Sequence, residues 1–140
     1  MALKTTFDLL LVAPAESDSR ELASILAHSC WALDWVRTGR DGLEFLRRCS
    51  YVAVVCDQDL PDGSWRDLAS ALDAIPDPPL LFVACSNPRG LWFEVVHAGG
   101  FDVVLKPFER GEVTWALTVA WSHWSNRART KSNGHLHAGF

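Results

Sequence analysis

Apolar residues in this chain form short continuous runs, separated by stretches in which they recur every three or four positions. That pattern predicts strands alternating with amphipathic helices. Phe7 to Val12 is the first run, and behind it Glu16-Ser17-Asp18-Ser19 supplies helix-starting residues before Leu22, Ile25 and Leu26 at helical spacing. Trp31 to Val36 is rich in strand formers, and after the break at Thr38-Gly39 a second helix carries Leu43, Phe45 and Leu46. Tyr51 to Cys56 is almost wholly apolar, the pattern of a strand buried on both faces, and it ends at Asp57. Past the turn Pro61-Asp62-Gly63, the residues Trp65, Leu68, Leu72 and Ile75 mark a third helix that stops before Pro76-Asp77-Pro78-Pro79. Leu80 to Ala84 is the fourth strand. Asn87-Pro88 then predicts a helix start leading through Leu91, Val95 and Ala98 to Gly99-Gly100. Phe101 to Leu105 is the fifth strand, and Val113, Ala116, Leu117, Ala120, Trp121 and Trp124 give the last helix its stripe.

Strands that alternate with helices imply right-handed crossovers and a sheet covered on both sides. The expected fold is α/β, a five-stranded parallel sheet in the flavodoxin-like doubly wound arrangement, with one domain over residues 1–126 and a disordered tail over 127–140. Ligands of such folds bind at the carboxyl ends of the strands, near the switch in strand order. That rule directs attention to the residues after Val12, Cys56, Ala84 and Leu105.

Composition narrows the function. The chain has 140 residues and a net charge of -4, so no overall field attracts nucleic acid or an anionic membrane. The cations Arg127, Arg129 and Lys131 are too few to change that expectation. No charged segment followed by an apolar run opens the sequence, and a cytoplasmic location is expected. The four cysteines, Cys30, Cys49, Cys56 and Cys85, lack metal or redox spacing and read as small hydrophobes.

D-Q-D-L-P-D-G-S over residues 57–64 and L-K-P-F over 105–108 lie at two of these strand ends, and H-A-G-G-F-D over 97–102 leads into the fifth strand. In this order and at these places they resemble the bacterial response-regulator receiver domain, the CheY-like family, over roughly residues 7–124. The resemblance implies a phosphorelay module rather than an enzyme, with Asp57 as phosphoacceptor, Lys106 as the cation that pairs with phosphate, and Pro107 in a cis bond. Its implied partners are a histidine kinase or a downstream signalling protein.

Four aligned positions depart from that family. Ala13 and Pro14 stand where two carboxylates normally hold Mg²⁺, Ala84 where a hydroxyl captures phosphate, and Val103 where an aromatic rotates inward. A usual site of three carboxylates and one lysine sums to about minus two and draws a divalent cation. Here Asp57 and Lys106 cancel, so a direct ion pair between them is expected, with Mg²⁺-dependent phosphorylation weakened or lost and no cofactor required. The alternative is a working acceptor with a metal site rebuilt from Asp57, Asp59 and an upstream acid, Glu16 or Asp18. Against it, Glu16 and Asp18 also suit the first turn of a helix, and Asp59 suits a solvated loop. Ser86 or Cys85 as a substitute for the lost hydroxyl would sit several ångströms out of place, given a rise of ~3.3 Å per strand residue. A small-ligand or flavin binder on the same fold is a third reading, without a supporting phosphate loop.

Trp92, Trp115 and Val119 fall off the core stripes of the last two helices, and Val103 lies on the fifth strand between those helices. In receivers that face commonly serves dimers and output partners. The four residues are therefore candidates for an interface, including a homodimer, set against the plain reading of scattered surface hydrophobes.

Overall fold

The computed structural model describes residues 6–137, and its strands follow the apolar runs. They are β1 (Phe7–Val12), β2 (Trp31–Val36), β3 (Ala53–Asp57), the short β4 (Asp59–Leu60) and β5 (Gly63–Ser64), β6 (Leu80–Cys85) and β7 (Asp102–Leu105). The helices are α1 (Glu16–Leu26), α2 (Gly39–Arg48), α3 (Trp65–Leu72), α4 (Leu91–His97) and α5 (Arg110–His137). Five strands pair in parallel in the order β2-β1-β3-β6-β7, the flavodoxin-like order expected from the sequence, while β4 and β5 form a separate hairpin at the Pro61-Asp62 turn.

Strand alternation divides the core. Leu10, Val12, Val54, Cys56 and Val83 pack with Leu46, Leu68, Leu72, Leu91 and Val95 of α2, α3 and α4. Leu9, Leu11, Ala53, Val55, Phe82 and Val104 pack with Leu22, Leu26, Val113 and Leu117 of α1 and α5. Both faces of the central strands are thus buried, which explains their nearly continuous apolar sequence. β2 lies at one edge and alternates half-buried with exposed residues through Trp35. At the other edge, the N–H groups of Val103 and Leu105 donate to the Asp102 and Glu112 carboxylates, each at 2.8 Å, which leaves less of β7 open to pairing with another strand.

Two elements differ from the sequence pattern. α4 begins at Leu91 rather than at Asn87-Pro88, because Gly90, at φ 65°, interrupts the chain in the left-handed region immediately before the helix. α5 continues to His137, past Arg127, where the stripe fades and a disordered tail was expected. Loss of amphipathic pattern is not a stop signal, and residues 127–133 contain neither proline nor glycine to end the helix. Side chains beyond Arg127, and residues 138–140, lie outside the described residues.

Candidate functional site

The parallel register brings the carboxyl ends of β1, β3, β6 and β7 to one pole of the sheet, with Asp57 beside Ala84. Asp57 is 7% exposed, the single charged residue among those described that is buried. Its Oδ1 accepts the Asp59 N–H at 3.0 Å, while Lys106 Nζ lies 2.6 Å from its Oδ2. Lys106 is delivered by the end of β7, where its N–H donates to Cys85 O at 2.8 Å, and the Lys106–Pro107 peptide is cis.

Lys106 has a second partner, Asp18 Oδ2 at 3.1 Å. The three side chains are only 10–19% exposed, so water does little to replace either contact. Burial alone would lower the Lys106 pKa, but the hydrogen bonds and charges of Asp57 and Asp18 outweigh it and hold the ammonium above its ordinary range. Asp18 projects from the first turn of α1, three residues before Glu21, whose carboxylate accepts the Phe108 N–H. Arg110 donates to Ile25 O at 3.2 Å, so residues 18, 21 and 25 of α1 all receive hydrogen bonds from the segment that carries Lys106.

Ala13 and Ala84 contribute packing at this pole. Ala13 and Ala84 are both 1% exposed and belong to the apolar cluster that contains Phe108 and Leu22. Trp35 Nε1 donates to Ala13 O at 2.9 Å, and Arg37 donates to Pro14 O at 3.2 Å while its guanidinium lies 4.4 Å from the Trp35 ring centroid. Cys85 packs into the core on the other side of the sheet, and burial pushes its thiol pKa up, against weaker opposing contributions from a hydrogen bond at Asn87 and the charge of Lys106.

Of the metal candidates, Asp57 alone has its carboxylate at the centre of this pole. Glu16 is exposed and pairs with Arg20 at 3.4 Å, and Asp59 contributes its backbone N–H while its side chain is exposed. Of the two upstream acids weighed from the sequence, Asp18 rather than Glu16 reaches this pole. Mg²⁺ requires about six oxygen ligands, commonly including one or two carboxylates. Here the Asp57 oxygens already accept from Asp59 and Lys106, and the Asp18 Oδ2 also takes Lys106. Among the described residues no three His, Cys, Asp or Glu side chains are grouped to share a metal ion. The residues present do not fit Mg²⁺.

The surface candidates separate into two groups. Trp115 is 71% exposed and lines, with half-buried Val103 and Val119 and with Leu105 and Glu112, a groove of about 330 Å³ between β7 and α5. Trp92, 54% exposed on α4, is not part of that lining. Phe93, at 62%, was not anticipated, although its place beside Trp92 on a helix whose stripe is Leu91 and Val95 was the available signal. No helix among the described residues is long and apolar enough to cross a membrane.

No family model and no curated protein matches this sequence. Solved structures do. The signal receiver domain of an HD domain-containing protein from Pseudomonas fluorescens superposes with a TM-score of 0.80 at 18% identity, covering 92% of this chain and 96% of that one. The chemotaxis response regulator CheY4 of Vibrio cholerae gives 0.73 at 15% identity, over 83% of this chain and 99% of its own. A beryllofluoride-activated NtrC4 receiver domain dimer gives 0.76 at 19%, over 87% and 99%. With the strand order and the placement of Asp57 and Lys106, these likenesses establish that the chain has the CheY-like receiver fold.

Proposed function

We propose that this chain is a receiver-type signalling module of a two-component pathway in which Mg²⁺-dependent phosphorylation is weakened or lost, and that it acts through protein contacts rather than as an enzyme. One observation carries the reading: the Lys106 ammonium lies against Asp57, the inherited acceptor, and Asp18 holds it from the other side. In phosphoryl transfer the metal neutralises charge on the moving group and positions it. A site whose carboxylates are already committed to an internal ammonium supplies neither service to an incoming phosphodonor. The partners this reading implies are a histidine kinase or a downstream signalling protein. The groove bearing Trp115, Val103 and Val119 is the contact face, and a homodimer through α4, β7 and α5 is one form it takes.

A working acceptor has one observation in its favour, since Asp18 is an upstream acid that does reach the site. One experiment separates the readings. The full chain and Asp57→Ala are incubated with a small-molecule phosphodonor, with and without Mg²⁺, and weighed intact. No stable phosphoryl adduct is expected; an Mg²⁺-dependent adduct confined to wild type would establish the working acceptor instead.

A further inference from the structure

The disagreement between this donor set and Mg²⁺ defines a role for Asp18. We propose that Lys106 is the resident cation of the site and that Asp18 is a positioning residue, holding the ammonium between two carboxylates where a divalent ion would otherwise balance them. This rests on the reading of Asp57 as an inherited acceptor.

Three observations support it. The ammonium is within hydrogen-bond distance of both carboxylates, 2.6 Å from Asp57 and 3.1 Å from Asp18, so those two oxygens cannot be more than the sum of these distances apart. The trio carries one net negative charge, and all three side chains are largely withdrawn from water. Asp18 also stands on a helix tied to the Lys106 segment at two further points, because the Glu21 carboxylate and Ile25 O accept from Phe108 and Arg110. A first-turn acid serving only the helix dipole would face solvent, as Glu16 does beside Arg20.

The consequence is a site one positive charge away from binding metal. Removing the ammonium leaves the Asp18 and Asp57 carboxylates without compensation, two hard oxygen donors of the kind a divalent ion takes. Lys106→Met keeps most of the apolar stem and removes the charge, and Lys106→Gln repeats the test with a polar head if the methionine variant does not fold. Mg²⁺ alone and Mn²⁺ alone are titrated into the full-length wild type, Asp18→Asn, the Lys106 variant and the double variant. Calorimetry reads affinity, and Mn²⁺ broadening of backbone amides locates the ion.

Wild type and Asp18→Asn are expected to show no broadening centred on Asp57 to Asp59. The Lys106 variant should gain it, with binding at least about tenfold tighter than any shown by wild type, because the local charge becomes more negative by one unit. Adding Asp18→Asn should abolish the gain, which a purely structural role for Asp18 would not do. Mn²⁺ at Asp57 in wild type as tight as in the variant overturns the proposal, and so does a folded Lys106 variant that gains nothing. The functional reading fails separately: a stable phosphoryl adduct on wild-type Asp57 that forms without Mg²⁺ overturns the expectation that Asp57 takes no phosphoryl group, and leaves Lys106 as the resident cation.

Discussion

Replacing Lys106 by methionine tests the energetics of the site as well as its ion preference. The substitution removes the ammonium that lies 2.6 Å from Asp57 and 3.1 Å from Asp18, leaving Asp57 with the Asp59 N–H as its remaining recorded donor. Breaking a fully buried ion pair from one side costs about 3–5 kcal/mol, since the partner is stranded in low dielectric. The three side chains here retain 10–19% exposure, so some rehydration is available and about 2–3 kcal/mol is expected. For a domain of this size that corresponds to a fall in Tm of about 6–10 °C. Asp57→Asn should cost less, because its amide oxygen still accepts the Asp59 N–H and Lys106 keeps Asp18. Lys106→Met combined with Asp18→Asn should be less destabilised than the sum of the single changes, since the second change removes a carboxylate that the first left unpaired. The pH dependence has a definite sign. The folded Lys106 pKa is raised, so its stabilisation is complete below the unfolded value of about 10.4 and is lost only as pH rises through the higher folded value. Thermal melts followed by circular dichroism should therefore show a constant gap between wild type and Lys106→Met at neutral pH that narrows in the alkaline range. A neutral-pH deficit below about 0.5 kcal/mol, or strict additivity in the double variant, would refute the assignment of Lys106 as the charge balance of this pole.

Other positions give independent checks. Asp62 caps α2 from the β4–β5 hairpin, accepting the Gly39 and Arg40 N–H groups at 2.9 and 3.0 Å, and these bonds lower its pKa. Asp62→Ala should cost about 1 kcal/mol at neutral pH, with the difference lost as pH falls through the folded Asp62 pKa in urea titrations of both proteins. A Cβ at Gly100 would lie 2.5 Å from Val95 Cγ1 and 3.0 Å from Val95 O, so Gly100→Ala should lose about 1–3 kcal/mol in the same assay. Trp115→Glu should leave Tm within about 1 °C of wild type, because the side chain is 71% exposed, yet reduce self-association or partner binding measured by sedimentation. Unchanged association would remove the groove from the proposed contact face.

The central strands were legible because burial on both faces forces a continuous apolar run, as in Leu9 to Val12 and Ala53 to Cys56. α4 was placed too early because Asn87-Pro88 has the chemistry of a helix start, whereas the backbone sign at Gly90 is invisible in a pattern of apolar positions. Asp57 and Lys106 could be found from local motifs, since each ends a strand with a recognisable turn behind it. Asp18 could not be assigned in that way. Its partner is 88 residues distant, and its role comes from the packing of α1 against the loop after β7. The signal that was present is spacing: Asp18 and Glu21 lie three apart, and Leu22 and Ile25 continue along the helix towards the side that packs inward. Trp35 and Arg37 are similarly out of reach of a linear reading. Their bonds to Ala13 O and Pro14 O follow from the parallel pairing of Leu11 with Trp35 and Val12 with Val36.

The charges at this pole form one consistent electrostatic arrangement. Ala13 is 1% exposed within an apolar cluster, so a carboxylate on that side chain would be a further buried negative charge at the carboxyl ends of the strands, and among the described residues Lys106 is the ammonium that pairs with both Asp18 and Asp57. Such a set requires an external cation, whereas two carboxylates sharing one ammonium leave a single negative charge that backbone N–H donors such as Asp59 partly offset. An acid on the first turn of α1, rather than at a strand end, also sets what the site is attached to. A metal bound at the end of β1 would be attached to the sheet, but Asp18 links Lys106 to a helix whose residues Glu21 and Ile25 accept from Phe108 and Arg110 of the same segment. The internal cation is therefore held by the packing of α1 against the chain after β7, and its position depends on the fold rather than on the supply of an ion.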